Sequence, residues 1–182
     1  GISKYALELD LQAAHKMFGL DTIIFRPHNV YGENQNIGDK YRNVIGIFMN
    51  QIMNSEPLTI FGDGKQTRAF SYIDDVAPYI AKSVEIQDAY NQIFNIGADT
   101  PYTVKYLADV VGYSFGVQPE INYLPARNEV VNAYSSHTKA KDVFGITQSV
   151  SLEEGVARMA RWAKKVGARK SKKFSNIEIT KN

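Results

Sequence analysis

The fold is decided by residues 2–27, which read ISKYALELDLQAAHKMFGLDTIIFRP. Apolar side chains recur at helical spacing through residues 2–18, and Gly19 is a typical helix stop. Residues 22–25 follow as a short apolar strand, which ends just before Pro27. A helix joined by a short turn to an all-apolar strand is half of a βαβ unit, and this predicts a parallel sheet with helices on both faces.

Helical and strand patterns continue to alternate after this unit. Thr103 is expected to cap one of the helices, and Ser151 with Glu154 forms a capping box at the start of the last one. The paired carboxylates Asp74 and Asp75 are interpreted as a helix start rather than as an acid/base pair. The predicted helices are 43–54, 74–84, 103–111, 136–144 and the one after Ser151; the predicted strands or extended segments are 58–61, 67–72, 94–96 and 120–124.

Composition limits the classes of protein. The chain has 182 residues, of which 44% are hydrophobic, and this is enough for one compact domain. It contains no cysteine, which excludes a disulfide scaffold, thiolate catalysis and cysteine-ligated metals, and which fits a cytoplasmic location. The three histidines lie far apart in the sequence, and no metal site is predicted.

The formal charge of +2 combines an acidic body with a basic end. Residues 164–182 hold seven Lys/Arg and one Glu, so the preceding residues are net acidic. Nucleic-acid binding would rest on this charge alone and is not predicted. No secretory signal or membrane span is predicted either, and because the chain starts inside a helix without Met we expect a fragment or a processed piece.

Four stretches then occur in a fixed order. They are GISK at 1–4, RPHNVYG at 26–32, LTIFGDGKQTRAFSYIDDV at 58–76 and ARNEV at 126–130. Together they resemble the extended short-chain dehydrogenase/reductase family, in its branch of NAD-dependent nucleotide-sugar epimerases and dehydratases, and most closely the UDP-glucose 4-epimerases. The resemblance covers roughly residues 1–165. Each motif alone is weak, whereas four in order indicate the family much more specifically than the substrate.

The resemblance implies an α/β fold that is the C-terminal part of a doubly wound, Rossmann-like parallel sheet with a small α/β substrate-binding lobe. Residues 1–35 are then expected to be the remnant of the dinucleotide-binding domain. Residues 36–167 would form mainly the substrate lobe with interleaved Rossmann elements. Residues 168–182 are expected to be a disordered basic tail.

The resemblance also implies a catalytic Tyr-x-x-x-Lys pair in which Lys4 is the lysine. The tyrosine would immediately precede Gly1, outside this sequence. Four residues along a helix bring two side chains to one face, where an ammonium lowers the pKa of a phenol and can hold the cofactor ribose. The alternative is that Lys4 is an ordinary solvated helix lysine.

No glycine-rich dinucleotide turn occurs in the 182 residues, whereas family members bind the pyrophosphate of NAD at such a turn. We therefore expect this chain alone to bind NAD weakly or not at all and to be inactive. By resemblance, the backbone of Pro27 and His28 lies against the nicotinamide; the His28 imidazole itself is interpreted as packed or solvent-facing.

The remaining candidates concern the nucleotide sugar. Asn29 follows a strand end, where ligands sit in doubly wound sheets, and its amide suits a sugar hydroxyl, although it could simply form a turn. Arg68 and Arg127 are expected to bind the diphosphate, unless they form surface ion pairs. The family's Arg-x-Gly-Glu is shortened here to Arg127-Asn128-Glu129, which leaves a ribose contact for Glu129 open.

Resemblance adds Asn43, with the adjoining Val44, as a diphosphate contact at a helix start. It also implies that Thr59 and Phe61 hold uracil through backbone bonds and an aromatic face, and that Phe70 lies near the sugar. Core packing is the alternative for both aromatic rings.

The activity that the resemblance implies is that of an isomerase of carbohydrate metabolism. NAD oxidises the sugar C4 hydroxyl, the 4-keto sugar rotates, and the hydride returns to the other face. The expected partners are a UDP-hexose and, in the intact enzyme, a second copy in a homodimer. A non-catalytic nucleotide-sugar binding module, a 4,6-dehydratase and a UDP-glucuronate decarboxylase remain alternatives.

Overall fold

A computed structural model describes residues 1–39 and 41–171, and most of the predicted basic tail lies outside these ranges. The described chain alternates helices and short strands, as the sequence patterns predict. The helices are α1 (Ile2–Phe18), α2 (Val44–Met53), α3 (Ala77–Lys82), α4 (Val104–Phe115), α5 (Thr138–Phe144) and α6 (Leu152–Val166). The strands are β1 (Ile23–Pro27), β2 (Val30–Tyr31), β3 (Leu58–Phe61), β4 (Thr67–Ala69), β5 (Ser71–Tyr72), β6 (Gln92–Ile96), β7 (Pro101–Thr103), β8 (Ile121–Leu124) and β9 (Asn132–Ala133).

Most strand pairs are parallel. β1 pairs with β6, β2 with β5, and β3 with β8, all in parallel. β4 lies between β9, which is parallel to it, and β7, which is antiparallel. The predicted α/β fold with parallel strands is therefore confirmed, and the carboxyl ends of β1 and β3 both lead into loops that can carry a site.

The helix predicted over 74–84 is interrupted. A single 3-10 turn, Ile73–Asp75, comes first, and α3 starts only at Ala77. Pro78 lies in the first turn of α3, where its missing N–H costs nothing. A continuous helix from residue 74 would put Pro78 in the interior, where the ring clashes with the preceding turn.

The main core lies between three helices and β3. Phe48 of α2, Leu107 of α4 and Met159 of α6 are completely buried in one hydrophobic cluster. The predicted caps hold two of these helices: Thr103 Oγ1 accepts from Tyr106 N at 3.1 Å, and Ser151 Oγ accepts from Glu154 N at 3.2 Å. Local capping and the apolar faces thus fix the helices that stand behind β3.

Helix α1 has no buried residue, and Gly19 ends it in the left-handed conformation. Ile2 is 90% exposed and Phe18 is 78% exposed, so α1 presents apolar side chains on its surface. Glu8 and Arg26 link α1 to β1, since Arg26 Nε donates to Glu8 Oε1 at 2.8 Å.

The first residues of the predicted tail are docked on α2. Arg169 N donates to Asn50 Oδ1 at 2.7 Å, and Asn50 Nδ2 donates to Arg169 O at 3.0 Å. Residues 172–182 lie outside the described ranges, and the disorder expected for them stays a prediction. None of the described helices is long and apolar enough to span a bilayer.

We predict that Gly155→Ala destabilises the protein by about 1–3 kcal/mol, because a Cβ on this α6 glycine would overlap the buried Tyr31 hydroxyl and lie 3.0 Å from Tyr72 Cδ2. Gly46→Ala in α2 is the matched control. A Cβ at residue 46 makes only ordinary contacts, at 3.4 Å or more. Because alanine has the higher helix propensity, the free energy of unfolding should be unchanged or should rise by up to about 1 kcal/mol. Urea unfolding measures both; equal effects of the two substitutions would contradict the packing account.

Candidate functional site

A cavity of about 450 Å³ opens beside the carboxyl ends of β1 and β3. It brings together segments that are up to 100 residues apart in the sequence. All nine residues that were predicted to contact the nucleotide sugar line it: Asn29, Asn43, Val44, Thr59, Phe61, Arg68, Phe70, Arg127 and Glu129. This grouping is a geometric finding; the contact that each residue makes with a ligand stays a prediction.

The three residues predicted to meet the cofactor lie elsewhere. Pro27 and His28 line a neighbouring cavity of about 360 Å³, which shares Asn29 and Arg68 with the first. Lys4 lies exposed on the first turn of α1 and lines neither cavity.

Arg68 is held firmly in place. Its Nη1 donates to Thr67 O at 2.8 Å and to Val131 O at 3.0 Å, while its Nη2 lies 3.4 Å from Glu129 Oε2. Only 16% of the Arg68 side chain is exposed, compared with 43% for Glu129. The ion pair that the sequence left as an alternative is therefore present, and it lies on the cavity wall rather than on the outer surface.

Arg127 lies over an aromatic ring. Its guanidinium carbon is 3.4 Å from the centroid of the Phe61 ring, within the range of a cation–π contact. Burial lowers the pKa of Arg127, and the nearby charge of Glu129 raises it. An arginine remains charged at neutral pH under such a shift, so the cavity holds two guanidinium groups and one carboxylate.

Hydrogen bonds hold the side-chain amides of both Asn29 and Asn43 in place. Asn29 has φ 43°, and its Nδ2 donates to Ala69 O at 2.9 Å, which leaves Oδ1 as the acceptor on its amide. Asn43 caps α2: its Oδ1 accepts from Ile45 N at 3.3 Å and its Nδ2 donates to Val30 O at 2.6 Å. Both atoms of the Asn43 amide are thus engaged, and what it presents to the cavity is the start of α2.

Two glutamines organise the wall formed by β3. Gln51 donates from Nε2 to Thr59 Oγ1 at 2.9 Å and accepts from Thr59 N at 3.2 Å. Gln66 Nε2 donates to Phe61 O at 2.9 Å. Among the polar lining residues, sequence reasoning missed Gln66, Gln35, Tyr41 and Arg42. Only Arg42 carried a possible signal, its position directly before Asn43.

The largest feature that sequence reasoning missed is a hydrogen-bond network around the buried His137. This side chain is 1% exposed; its Nδ1 lies 2.6 Å from Asp99 Oδ1 and its Nε2 lies 3.0 Å from Ser135 Oγ. The other Asp99 oxygen accepts from Lys141. Burial raises the pKa of Asp99, but the hydrogen bonds from Lys141 and His137 outweigh this effect and leave the pKa below its ordinary value. An ionised Asp99 makes Nδ1 of His137 the donor.

The His28 ring stacks on His137, with centroids 5.0 Å apart and an angle of 11° between the planes. Ser71 fixes the same segment, since Ser71 Oγ donates to His28 O at 3.0 Å and accepts from Ala98 N at 3.0 Å. The interpretation of the His28 side chain as packed thus fits the structure. Within the described ranges no three potential ligands come together as a metal site.

The paired carboxylates also take structural positions. Asp75 Oδ2 accepts from Val150 N at 2.9 Å, and Asp74 lies 3.6 Å from Arg158. Both residues sit in the 3-10 turn before α3, as expected for a helix start.

A family model described as "NAD dependent epimerase/dehydratase family" matches residues 1–97. The chain belongs to this family. The match covers both asparagines, Arg68 and Phe70, while Arg127 and Glu129 of this epimerase/dehydratase-family chain lie beyond it.

Three known proteins illustrate the relationship. A putative UDP-glucose 4-epimerase of Methanocaldococcus jannaschii is 33% identical over 165 residues, which are 90% of this chain and 52% of that protein. The UDP-glucuronic acid decarboxylase 2 of Arabidopsis thaliana is 30% identical over 81% of this chain and 32% of its own length. The crystal structure of the Thermotoga maritima UDP-glucose 4-epimerase with UDP-glucose matches with a TM-score of 0.85 and 33% identity, over 91% of this chain and 53% of that one.

This epimerase/dehydratase-family chain therefore spans about half the length of the 4-epimerases it matches. The similarity to the Thermotoga maritima structure confirms the Rossmann-like α/β fold. It extends past the region of the family model to most of the described chain, including the helices that form the core.

We predict that His28 makes folding stability sensitive to acid. Burial lowers the pKa of His28 from its ordinary 6.5 and His137 lowers it further, whereas the backbone of Ala98 and the charge of Asp99 raise it. The His28 ring therefore binds a proton more readily in the unfolded chain than in the folded one. The contribution of neutral His28 to folding stability is complete above about pH 6.5, and it is lost as the pH falls towards the folded-state pKa.

The free energy of unfolding should fall less between pH 7.5 and pH 5 in His28→Asn than in the unmodified chain. Urea titrations at several pH values measure this difference, and His15→Asn is the control, since His15 is a half-exposed histidine near the end of α1. Parallel pH profiles for the unmodified chain and His28→Asn would contradict the prediction.

Proposed function

We propose that this chain is the nucleotide-sugar-binding part of an NAD-dependent 4-epimerase acting on a UDP-hexose. The observation that carries the proposal is the convergence of nine predicted residues, two of them arginines, on one cavity. Its volume of about 450 Å³ falls in the range of small-molecule sites. The matching relatives named as UDP-glucose 4-epimerases support the UDP-hexose class.

In this proposal Arg68 and Arg127 bind the diphosphate, together with the start of α2 at Asn43 and Val44. A planar guanidinium matches two phosphate oxygens at once, and the half-buried cavity strengthens each charge-assisted bond. The backbone at Thr59 and Phe61 takes the base. Glu129 contributes to diphosphate binding by holding Arg68 in place, whether or not Glu129 also contacts a ribose.

Asn29 and Phe70 would contact the hexose, since Asn29 lies where this cavity meets the second one. Pro27 and His28 line that second cavity, and the fixed backbone there fits the nicotinamide end of NAD. NAD, when bound, supplies the hydride acceptor and donor. Lys4 would lower the pKa of a tyrosine four residues before it along the helix, and in the whole enzyme the exposed α1 would pair with a second copy.

A polypeptide of these 182 residues is then expected to bind UDP-hexoses without interconverting them. We predict that calorimetry detects binding of UDP-glucose and that Arg68→Gln weakens it about 10- to 100-fold, because a charge-assisted hydrogen bond contributes roughly 1.5–3 kcal/mol. Arg161→Gln, which removes an exposed arginine on α6, is the matched control and should bind normally.

Equal affinity of the Arg68→Gln and Arg161→Gln variants would contradict the proposed site. Interconversion of UDP-glucose and UDP-galactose by this polypeptide with NAD would contradict the expected inactivity, whereas binding without turnover supports it.

A UDP-glucuronate decarboxylase is the second candidate, because the Arabidopsis thaliana decarboxylase aligns over 81% of this chain. The same titration with UDP-glucuronate separates the two. Preference for UDP-glucose favours the epimerase, and clear preference for UDP-glucuronate favours a hexuronate enzyme.

A further inference from the structure

The segment that follows α6 is anchored to α2 by one buried side chain. This side chain belongs to Asn50, which is only 4% exposed. Asn50 Oδ1 accepts from Arg169 N at 2.7 Å, and Asn50 Nδ2 donates to Arg169 O at 3.0 Å. A side-chain amide that bonds both the N–H and the carbonyl of one residue fixes that backbone much as a neighbouring strand would. The contact therefore depends on the backbone of Arg169 and not on its charge.

The same segment packs against the loop formed by residues 34–38. Gly38 lies so close to it that an added Cβ would be 3.1 Å from Arg169 Cβ and 3.5 Å from Lys170 O. Ile37, the preceding residue, is 2% exposed and belongs to the main hydrophobic cluster, to which α2 also contributes. The loop is therefore in contact with the core on one side and with the C-terminal segment on the other.

Both partners of this segment form walls of the larger cavity. Helix α2 contributes Val44 and Ile47, together with its cap Asn43, and the loop contributes Gln35. Asn50 follows Ile47 by three residues, so it lies on the next turn of the same helix. A segment that contacts both α2 and the loop can therefore set how these two walls stand relative to each other.

We propose that residues 168–171 form a C-terminal strap that holds α2 and the loop 34–38 together around the cavity, with Asn50 as its positioning residue. The effect on ligand affinity rests on the proposed function, because it needs a nucleotide sugar in this cavity. The effect on the loop itself does not depend on any ligand.

The physical reason is the cost of leaving Asn50 without its partners. Without the strap, a buried amide would lose two hydrogen bonds, and this favours conformations of α2 and the loop in which water reaches it. A ligand would then have to order the two walls when it binds, and such ordering lowers affinity. Detachment of the strap should therefore loosen the loop and weaken UDP-glucose at the same time.

The test compares the unmodified chain with Asn50→Leu and with a chain that lacks residues 168–182. Leucine is similar in size to asparagine but cannot bond the backbone of Arg169. We expect hydrogen exchange in residues 34–38 to become about 10-fold faster in both variants. Calorimetry should show UDP-glucose binding weakened about 2- to 10-fold, the effect of ordering one mobile side chain on binding.

Two controls separate the strap from the positive charge of the C-terminal region, which could attract an anionic ligand by itself. Arg169→Ala removes a charge but keeps the backbone and the Cβ that contacts the loop. Deletion of residues 172–182 removes further lysines but keeps the strap. Both should exchange and bind UDP-glucose like the unmodified chain. Thermal unfolding checks that every variant is folded.

A double-mutant cycle supplies a further readout. If Asn50 acts through the strap, Asn50→Leu has no additional effect on UDP-glucose affinity once residues 168–182 are deleted. A purely structural Asn50 would lower the unfolding temperature of Asn50→Leu and would leave the affinity of the folded variant unchanged.

Unchanged exchange in residues 34–38 of Asn50→Leu would overturn the inference, and so would unchanged UDP-glucose affinity of this variant. Equal weakening by Arg169→Ala would also overturn it, because charge would then be responsible. In all three cases the proposed function stands. Failure of the unmodified chain to bind UDP-glucose would overturn the proposed function, and the exchange measurement would still decide whether the strap holds the loop.

Discussion

The candidate site depends on how Arg68 is anchored. Its guanidinium joins β4 to the loop before β9: it donates to the carbonyls of Thr67 on β4 and Val131 on the loop, and it pairs with the Glu129 carboxylate on the same loop. The segment from 125 to 131 has no helix or strand of its own, so these bonds and the pairing of β9 with β4 hold it beside the cavity. Arg127 is carried on the same segment. One partly buried arginine therefore both offers positive charge and keeps the segment that carries a second arginine in place, and the polar partners of Arg68 offset the cost of its partial burial.

Local signals explain what could be predicted from the sequence. Residues 2–18, the caps at Thr103 and Ser151, and strand β3 at 58–61 depend on spacing and on neighbours within one turn or one strand, and all are confirmed. Seven of the nine cavity residues were found because they lie in family motifs, and Asn43 with Val44 was found by resemblance at a helix start. The two- and three-residue strands β2, β7 and β9 were missed, since such strands exist only through pairing with distant β5 and β4. Nor does any local pattern join Asp99 to His137 across 38 residues.

The two cavities differ in the chemistry of the residues that line them. The larger cavity contains two guanidinium groups, a helix start and an aromatic ring, a combination that matches an anionic ligand with a flat base. The smaller cavity is lined by Pro27 and His28. The backbone of His28 is fixed by Ser71, and its imidazole stacks on the buried His137. The two meet at Asn29 and Arg68. In the proposed function this junction is where the hexose would face the nicotinamide, so the rigid segment around His28 would set the distance between the two reactants.

The central claim is that the larger cavity holds a nucleotide sugar by its diphosphate. A crystal structure of this chain with UDP-glucose tests it most directly. We expect the phosphate oxygens to lie within hydrogen-bonding distance of both Arg68 and Arg127, with Arg127 still lying on the Phe61 ring. A nucleotide bound outside this cavity, or one bound inside it with its phosphates away from both arginines, would contradict the account.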